Sequence, residues 1–410
     1  MSPKPQLMAG LELGSRQFTL AVGQLQDRQR LIVRAVGSVP AQGIARGVLT
    51  DPMECTDGVA RLVRQVERSL SLKVPTVLAT VCGNHLKSYN ATASIPIPNS
   101  EGGITRRDVA RAISTCRTLS LDYDRQILHA FPRSFAVDGQ SGIKDPVGLF
   151  GTKLAIELHL VTALNLGIQN QLRVINRAGL EVEEMILPGL AAAEAVLSEL
   201  DRDVGVTLIR IGESQTEALL FTEGSIRETF LIPWGTDQLV ESISRHFKLP
   251  SALAEQLLEQ VRGLEERPEW ASLSLRVKSG SLVRSFPHAQ VAHHVAGKIK
   301  EFLGRVRQRL DGSPAYREST AGVVMVGPFA RLEGFLEMAE FLLNMPVRLG
   351  IARELELDPQ VTLGAAHTTA VGLLRYAAGR RLASPLSSPA AGPLWLRWVE
   401  RTRHLLEEYF

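Results

Sequence analysis

Two similar hairpin patterns, about 200 residues apart, limit the possible folds of this chain more than any other feature. In residues 7–23 and again in residues 205–223, an apolar run reaches a corner of small and polar residues and a second apolar run follows. This pattern is typical of two antiparallel strands joined by a tight turn, and either hairpin alone would indicate nothing more. Their recurrence in both halves of the chain predicts a duplicated fold with two lobes. Such turns direct backbone N–H groups towards a cleft, as phosphate-binding loops do.

The length and composition favour a soluble globular protein with more than one core. A chain of 410 residues exceeds what one ordinary core supports, and a content of 45% hydrophobic and 22% charged residues is typical of globular domains. The formal net charge of +3 is too small to favour nucleic acid as the main partner. The three cysteines have no metal-ligand spacing and the N-terminal residues contain no long apolar run, which predicts a reduced, cytosolic protein.

The first half of the chain predicts one lobe interrupted by an inserted subdomain. The lobe is assigned to residues 1–81 and 163–187 and the insertion to residues 82–162, because the alternation of strands and helices continues across the insertion. Thr105, three residues before Asp108, predicts a capped helix start within it. The other predicted helices are 56–70 and 167–178, and the predicted strands after the first hairpin are 31–39, 74–81, 126–135, 153–162 and 182–187.

The second half predicts a second lobe, a linker and a tail. Pro188 and Gly189 precede an alanine-rich helix at 190–200, whose small residues would allow it to lie between the lobes, although alanine also favours helices by itself. Further helices are predicted at 236–247, 251–264, 289–310 and 361–378. Residues 379–393 contain three prolines and no periodicity, so they are predicted to form a flexible linker.

Residues 394–410 predict an amphipathic helix at the end of the chain. Charged residues interrupt it throughout, so it cannot span a bilayer, but its tryptophans suit the lipid interface. Packing on the chain's own core or on a second subunit is the alternative. Three glutamates offset the arginines, so the apolar face would carry most of the membrane binding. That face comprises Trp395, Trp398, Val399, Leu405, Leu406, Tyr409 and Phe410.

Several segments, in collinear order, resemble the bacterial cell-division family FtsA. They are GLELGSRQ at Gly10, RGVLTD at Arg46, GIKDPVGLFGTKLAIELHL at Gly142, PGLAAAEAVL at Pro188, GVTLIRIGESQT at Gly205, VMVGPFARLEG at Val324 and TTAVGLLRY at Thr368. The resemblance covers residues 8–378 and the tail, and it is more specific than any single glycine motif. The pilus-assembly protein PilM shares the expected architecture but would be expected to lack an amphipathic tail.

The resemblance implies an actin-like, two-lobed α/β fold. Such a fold has duplicated ribonuclease-H-like sheets with covering helices, here with an inserted α+β subdomain at 82–162 and a C-terminal amphipathic helix. The second lobe would comprise residues 188–235 and 312–378. Residues 236–311 would form a fourth subdomain that docks the FtsZ C-terminal tail.

The resemblance also implies an ATP site, with magnesium, between the two hairpin corners and a third segment near residue 327. Arg210 stands where the family has an aspartate that helps to hold the metal, and a fixed cation there repels magnesium. Glu213 and Gln215 replace glycines, while Pro328 removes an N–H and Phe329 would fill adenine space. A degenerate cleft with weak or lost ATP hydrolysis is expected, although Arg210 could instead pair with a phosphate. The candidate nucleotide-binding residues are Glu12, Gly14, Ser15, Arg16, Arg210, Gly212, Thr216 and Gly327.

Two of these residues suggest a specific contact. If the hairpins face each other, Glu12 and Arg210 approach across the cleft and would form an ion pair that holds the lobes closed without nucleotide. The alternative is that both point into solvent, where such a pair is worth little.

The basic helix at 289–310 is the candidate contact for a partner. Lys298 and Lys300 are predicted to meet the acidic FtsZ tail, although a solvated helix face is the ordinary explanation. His293 and His294 stand where the family has an acidic-Pro-Arg cluster, and we expect them on the surface rather than as metal ligands. No catalytic or metal-binding residue is predicted.

The sequence therefore predicts an adaptor at the cytoplasmic face of the inner membrane, at the division site. It would anchor FtsZ filaments to lipid, associate with itself and other division proteins, and help to assemble the division ring, without nucleic acid. A PilM-like adaptor of type IV pilus assembly and an active actin-family ATPase are the alternatives.

Overall fold

The computed structural model describes residues 7–26, 30–83, 85–98, 102–265, 267–270, 272–280, 282–353 and 355–383. The amphipathic helix predicted at 394–410 and most of the predicted linker lie outside these residues. Among the helices in the described ranges, none is long and apolar enough to cross a membrane.

The first lobe opens with the predicted hairpin, a third strand and a helix. Asp51 caps that helix by accepting hydrogen bonds from the N–H groups of Met53 and Glu54, and Pro52 suits its first turn. The helix therefore starts four residues before the predicted position. The elements are β1 (Leu7–Leu13), β2 (Gln17–Gln26), β3 (Arg30–Pro40), β4 (Ile44–Ala45), β5 (Val48–Leu49), α1 (Pro52–Leu70) and β6 (Thr76–Thr80).

The inserted region forms a sheet of its own, covered by one helix. Thr105 and Asp108 make the predicted capping box, and the helix buries an apolar stripe against the sheet. The first strand was not predicted, because its residues alternate between small and polar types. The elements are β7 (Lys87–Pro96), α2 (Arg106–Leu119), β8 (Arg125–Val137), β9 (Gln140–Ile143) and β10 (Lys153–Leu164), and the sheet order is β7-β10-β8-β9.

The chain then completes the first sheet and enters the second. The helix predicted at 190–200 is two helices, because Ser198 accepts a hydrogen bond from the N–H of Asp201 and starts a new one. The elements are α3 (Asn165–Arg177), β11 (Glu181–Ile186), α4 (Pro188–Val196), α5 (Glu199–Val204), β12 (Val206–Ile211), β13 (Thr216–Thr222) and β14 (Ser225–Ile232).

A mainly helical region follows the second hairpin. The helix predicted at 251–264 ends at Glu259, and the long basic helix begins directly after Pro287. The elements are α6 (Thr236–Phe247), α7 (Ser251–Glu259), β15 (Ser274–Ser279), β16 (Leu282–Pro287) and α8 (His288–Leu310).

The last part of the chain corrects the predicted position of the final helix and linker. The helix spans Thr368–Ala383 rather than residues 361–378, so residues 379–383, assigned to the linker, are helical. The first proline after Gly379 is Pro385, so the sequence contains no helix breaker before that point. Arg380 pairs with Glu184, which ties the final turn to the first sheet. The elements are α9 (Pro314–Arg317), β17 (Val323–Val326), α10 (Phe335–Leu343), β18 (Val347–Leu349), β19 (Glu356–Leu357) and α11 (Thr368–Ala383).

The two main sheets confirm the predicted duplication. Their strand orders are β11-β6-β1-β2-β3-β19 and β14-β13-β12-β17-β18. In each, a hairpin carries a third antiparallel strand on one side and parallel strands on the other. The first hairpin pairs from Leu7 opposite Gln24 to Leu13 opposite Phe18, and the second from Val206 opposite Phe221 to Ile211 opposite Thr216. The two corners therefore occupy equivalent positions in the two sheets.

Two helices lie where the lobes meet. α4 is buried along almost its whole length and packs on α11, as expected for the alanine-rich segment. α11, which the sequence placed in the second lobe, also packs on β1 and β2, so its contacts join it to the first sheet as well. A Cβ built on Gly372 would lie 1.7 Å from the Ala191 carbonyl oxygen, so only glycine permits this approach.

Candidate functional site between the hairpin corners

The two hairpin corners adopt the same turn and touch each other. The N–H of Gly14 donates to the Gln17 carbonyl at 3.1 Å, and the N–H of Gly212 donates to the Gln215 carbonyl at 3.0 Å. The hydroxyls of Ser15 and Ser214 lie 3.3 Å apart. Because Ser214 donates to Asp237, Ser15 must donate to Ser214. The corners that would hold the phosphates of a nucleotide are bonded to each other instead.

Behind the corners, Arg210 forms a buried ionic network. Its guanidinium donates to Glu12 Oε1 at 2.7 Å and lies 3.7 Å from Glu217 Oε1. It also donates to the Thr369 hydroxyl at 3.3 Å, and Glu217 accepts a hydrogen bond from the N–H of Gly189. The ion pair between Glu12 and Arg210 that the sequence suggested is confirmed, and both side chains are only 12% exposed.

Burial sets the protonation of this network. Desolvation raises the pKa of Glu12 and of Glu217, and the nearby positive charge of Arg210 opposes that rise. Burial by itself would lower the pKa of Arg210, but Glu12, Glu217 and Glu213 together raise it further than burial lowers it. Arg210 is therefore a permanent cation whose position depends on two carboxylates.

Exposed ion pairs bridge the lobes near the corners. Arg16 pairs with Glu255 at 3.1 Å and with Glu259, both on α7, and Arg46 lies 3.6 Å from Glu241 on α6. Each pair is partly exposed and contributes little by itself, although together they favour the closed arrangement. Arg16, a candidate nucleotide ligand, contacts the second lobe instead.

The space left between the corners does not fit ATP. The cavity has a volume of about 50 Å³ and is lined by both corners and by Glu12 and Arg210, whereas pockets for small molecules measure about 300–1,000 Å³. The candidates Gly14, Ser15 and Gly212 line it, but Arg16, Thr216 and Gly327 do not. No group of three or more His, Cys, Asp or Glu side chains in the described ranges could hold a metal ion.

Phe329 of the third segment and Thr216 of the second hairpin belong to the interior of the second lobe. Phe329 is 3% exposed and its ring lies 6.4 Å from that of Trp234, which stacks on Phe302 at 4.0 Å. Thr216 is fully buried and donates to the Trp234 carbonyl. A Cβ on Gly327 would lie 2.4 Å from the Ile211 carbonyl oxygen, so this glycine serves strand packing.

A second cavity lies on the predicted partner-binding helix. It measures about 350 Å³ and is lined by His246, Ala289, Gln290, His293 and His294. The His294 ring stacks on His246 at 4.2 Å, and its Nε2 is 2.9 Å from the Ser242 hydroxyl. Burial, followed by the charges of His246 and Lys298, lowers the pKa of His294. His293 is exposed as expected, but His294 is half-buried, because α6 packs against this part of α8.

Lys298 and Lys300 lie beyond this cavity along α8. Lys298 pairs with Glu301 at 2.8 Å, while Lys300 is exposed. The sequence missed His246 and Gln290. His246 is on α6, and only the packing of α6 on α8 brings it to the same cavity.

The duplicated sheets, with paired hairpins facing each other between two lobes, define an actin-like protein. Solved structures agree on this fold: the PilM-PilN type IV pilus biogenesis complex matches with a TM-score of 0.61 at 14% identity, covering 90% of this chain and 98% of that chain. MreB5 of Spiroplasma citri, solved with bound ADP, matches with a TM-score of 0.54 at 11% identity, covering 90% of this chain and 95% of that one.

Sequence comparisons give the family. A model of the SHS2 domain inserted in FTSA matches residues 83–162, and a model of the cell division protein FtsA matches residues 207–372. FtsA of Pseudomonas aeruginosa is 28% identical over 373 residues, covering 90% of this chain and 89% of that protein. FtsA of Neisseria meningitidis is 27% identical over 400 residues, covering 96% and 94%. The chain belongs to the FtsA family of bacterial cell division proteins.

Proposed function

We propose that this chain anchors FtsZ filaments to the cytoplasmic face of the membrane at the division site and does so as an adaptor, not as an ATPase. Family membership supports the division role. The buried network of Arg210, Glu12 and Glu217 carries the adaptor part of the proposal, because it occupies the region where a nucleotide and metal would otherwise bind. The bonded corners and the small cavity support the same conclusion.

Three carboxylates near the corners are already engaged. Glu12 and Glu217 pair with Arg210, and Asp237 accepts a hydrogen bond from Ser214. Binding of a metal ion by any of these three would require breaking its contact, and a divalent cation bound by Glu12 or Glu217 would lie beside Arg210. A cleft of this kind is closed by the protein's own charges.

The cavity on α8 is the proposed docking site for the FtsZ tail. Lys298 and Lys300 lie within two turns of it and suit an acidic segment, while the stacked rings of His246, which is exposed, and His294, which is half-buried, offer a surface for its apolar side chains. Self-association and binding of other division proteins are proposed on family grounds.

The membrane anchor is assigned to residues 394–410. This part of the proposal depends on the sequence pattern alone, in which tryptophans and aliphatic residues share one face of a helix. A PilM-like role is less well supported, because the family models that match are those of FtsA.

Recruitment of FtsZ to lipid vesicles by the full chain tests the proposal. Trp395→Glu with Trp398→Glu should release both proteins from the vesicles, because the apolar face carries the binding. Lys298→Glu with Lys300→Glu should leave the chain on the vesicles but weaken FtsZ recruitment about tenfold or more, by reversing the charge that meets an acidic tail.

The matched control for the second variant is Lys248→Glu with Lys278→Glu, which reverses two exposed charges of the same subdomain. Recruitment by this control should equal that of the wild type. Equal recruitment by all three would disprove the docking site, and membrane binding that survives the tryptophan variant would disprove the anchor.

Thermal unfolding in millimolar MgATP tests the silent cleft. A ligand present at a hundred times its Kd stabilises by about 2.7 kcal/mol, so a functional site would raise the melting temperature measurably. We expect no shift against magnesium chloride alone. The variant Ser15→Ala with Ser214→Ala removes the corner contact but keeps Arg210, and it should also show no shift. A shift in the wild type would restore the ATPase alternative.

A further inference from the structure

Three helices that pack on the first sheet end at the same edge of it. α1 leads into β6 and α3 leads into β11, and both strands run parallel to β1. Arg381, near the end of α11, donates to the carbonyl of Leu7, where β1 begins. The described chain therefore leaves the fold at this edge, 27 residues before its end at Phe410.

The surface of α1 and α3 at this edge is basic. Arg64 and Arg68 are spaced four residues apart on α1, Arg173 and Arg177 are spaced likewise on α3, and the two helices pack side by side. All four side chains are exposed, and none makes an ion pair or hydrogen bond within the ranges that the structure describes. We call these four arginines and Lys73, which is exposed in the loop after α1, the basic end.

Unpaired arginines at this spacing oppose folding. Like charges four residues apart on a helix destabilise it slightly. Some exposed arginines elsewhere on the molecule, including Arg16, Arg46 and Arg267, are paired with glutamates. α3 contains no acidic residue, and Glu67 on α1 is already bonded to Lys73. On β11, the charge of Glu183 acts on Arg381.

We propose that the basic end binds anionic lipid headgroups and holds the first lobe against the membrane. Basic residues close to an anionic surface gain from it, and this attraction falls off within about one Debye length of roughly 8–10 Å. The ten residues 384–393 can extend at most about 35 Å, so a lipid-bound segment at 394–410 keeps the basic end within reach. Once residues 394–410 are bound to lipid, binding of the basic end becomes intramolecular, so even a weak contact adds to the affinity.

This inference depends on the proposed membrane anchor in one respect: the C-terminal segment brings the basic end close to lipid. The anchor and the basic end nevertheless require different lipids. An apolar helix face binds neutral and anionic bilayers, whereas the basic end adds affinity only for anionic ones.

Co-sedimentation of the full chain with vesicles distinguishes the two. The test variant is Arg64→Gln, Arg68→Gln, Arg173→Gln and Arg177→Gln. Its affinity for phosphatidylglycerol vesicles should fall about tenfold or more relative to the wild type, while its affinity for phosphatidylcholine vesicles stays the same. Raising the salt concentration should remove most of the difference between the two proteins.

The control is Arg107→Gln, Arg305→Gln, Arg317→Gln and Arg331→Gln, which removes the same charge from exposed arginines elsewhere. If the test and control variants bind phosphatidylglycerol vesicles equally, the inference is overturned, whether both keep the affinity of the wild type or both lose it. An equal loss of the test variant on both lipids would also overturn it, because such a loss indicates damage to the fold. Failure of the tryptophan variant to lose binding to phosphatidylcholine would count against the anchor alone.

Discussion

Replacing Arg210 with methionine should lower the free energy of unfolding by about 3–5 kcal/mol. Methionine keeps an unbranched apolar stem but removes the cation that Glu12 and Glu217 both face. Glu217 is 3% exposed, so its carboxylate would remain buried with no opposite charge beside it. Breaking one side of a buried ionic network costs more than the network contributes, because the remaining charge has neither solvent nor an opposite charge beside it. Chemical denaturation of the full chain measures the loss.

Two controls separate this effect from a general loss of charge between the lobes. Arg46→Met removes an exposed cation that also joins the lobes, and we expect a loss below about 1 kcal/mol. Adding Glu12→Gln to Arg210→Met should recover part of the stability, because one of the two buried charges is removed with its partner. A loss for Arg210→Met no greater than that for Arg46→Met would show that the network does not stabilise the closed lobes.

The deficit of the Arg210 variant should depend on pH in a definite direction. Burial raises the pKa of Glu12 and Glu217, and removing the guanidinium raises both further. Carboxyls with a raised folded-state pKa favour folding below their ordinary value of 4.5 and lose this contribution as the pH rises through the folded-state pKa. The deficit should therefore be smallest near pH 4.5 and grow towards neutral pH.

Strong apolar periodicity allowed the sequence to predict the two lobes. The hairpin strands β1, β2, β12 and β13 are buried runs with glycine corners, and the structure places all four within about three residues of the prediction. β7 was missed because KSYNATASIP has small and polar residues, and its pairing with β10 determines its conformation. The end of the last helix was misplaced because it also depends on contacts with distant parts of the chain. Arg380 and Arg381 contact the first sheet, and the helix extends to Ala383.

Prediction of the candidate site succeeded only where chain position determines the contact. Glu12 and Arg210 occupy equivalent places in the two hairpins, so their approach followed from the duplication. Glu217 could have been found as well, since it lies opposite Arg210 in the hairpin register. Thr369 contributes from 159 residues away, and the Arg16 partners come from α7, so no local pattern indicates them.

Substituting alanine for Gly372 should cost about 3 kcal/mol or more, at the upper end of what overpacking usually costs. The added methyl would lie 1.7 Å from the Ala191 carbonyl oxygen and 2.6 Å from the Ala191 carbonyl carbon, both part of the α4 backbone. A side chain could rotate away, but a buried helix can only shift as a whole. α11 would have to move off α4, and it also packs on β1 and β2, so the strain would reach the first sheet.

Gly379→Ala on the same helix is the matched control, because a Cβ built there has no atom within 4 Å. By helix propensity alone it should stabilise the protein by about 0.5–1 kcal/mol. Opposite signs for the two variants, measured by denaturant unfolding, would show that the contact between α4 and α11 is as close as the structure places it. If both variants stabilise the protein, the two helices are farther apart, and the lobes have more freedom to open around Arg210 than the closed corners indicate.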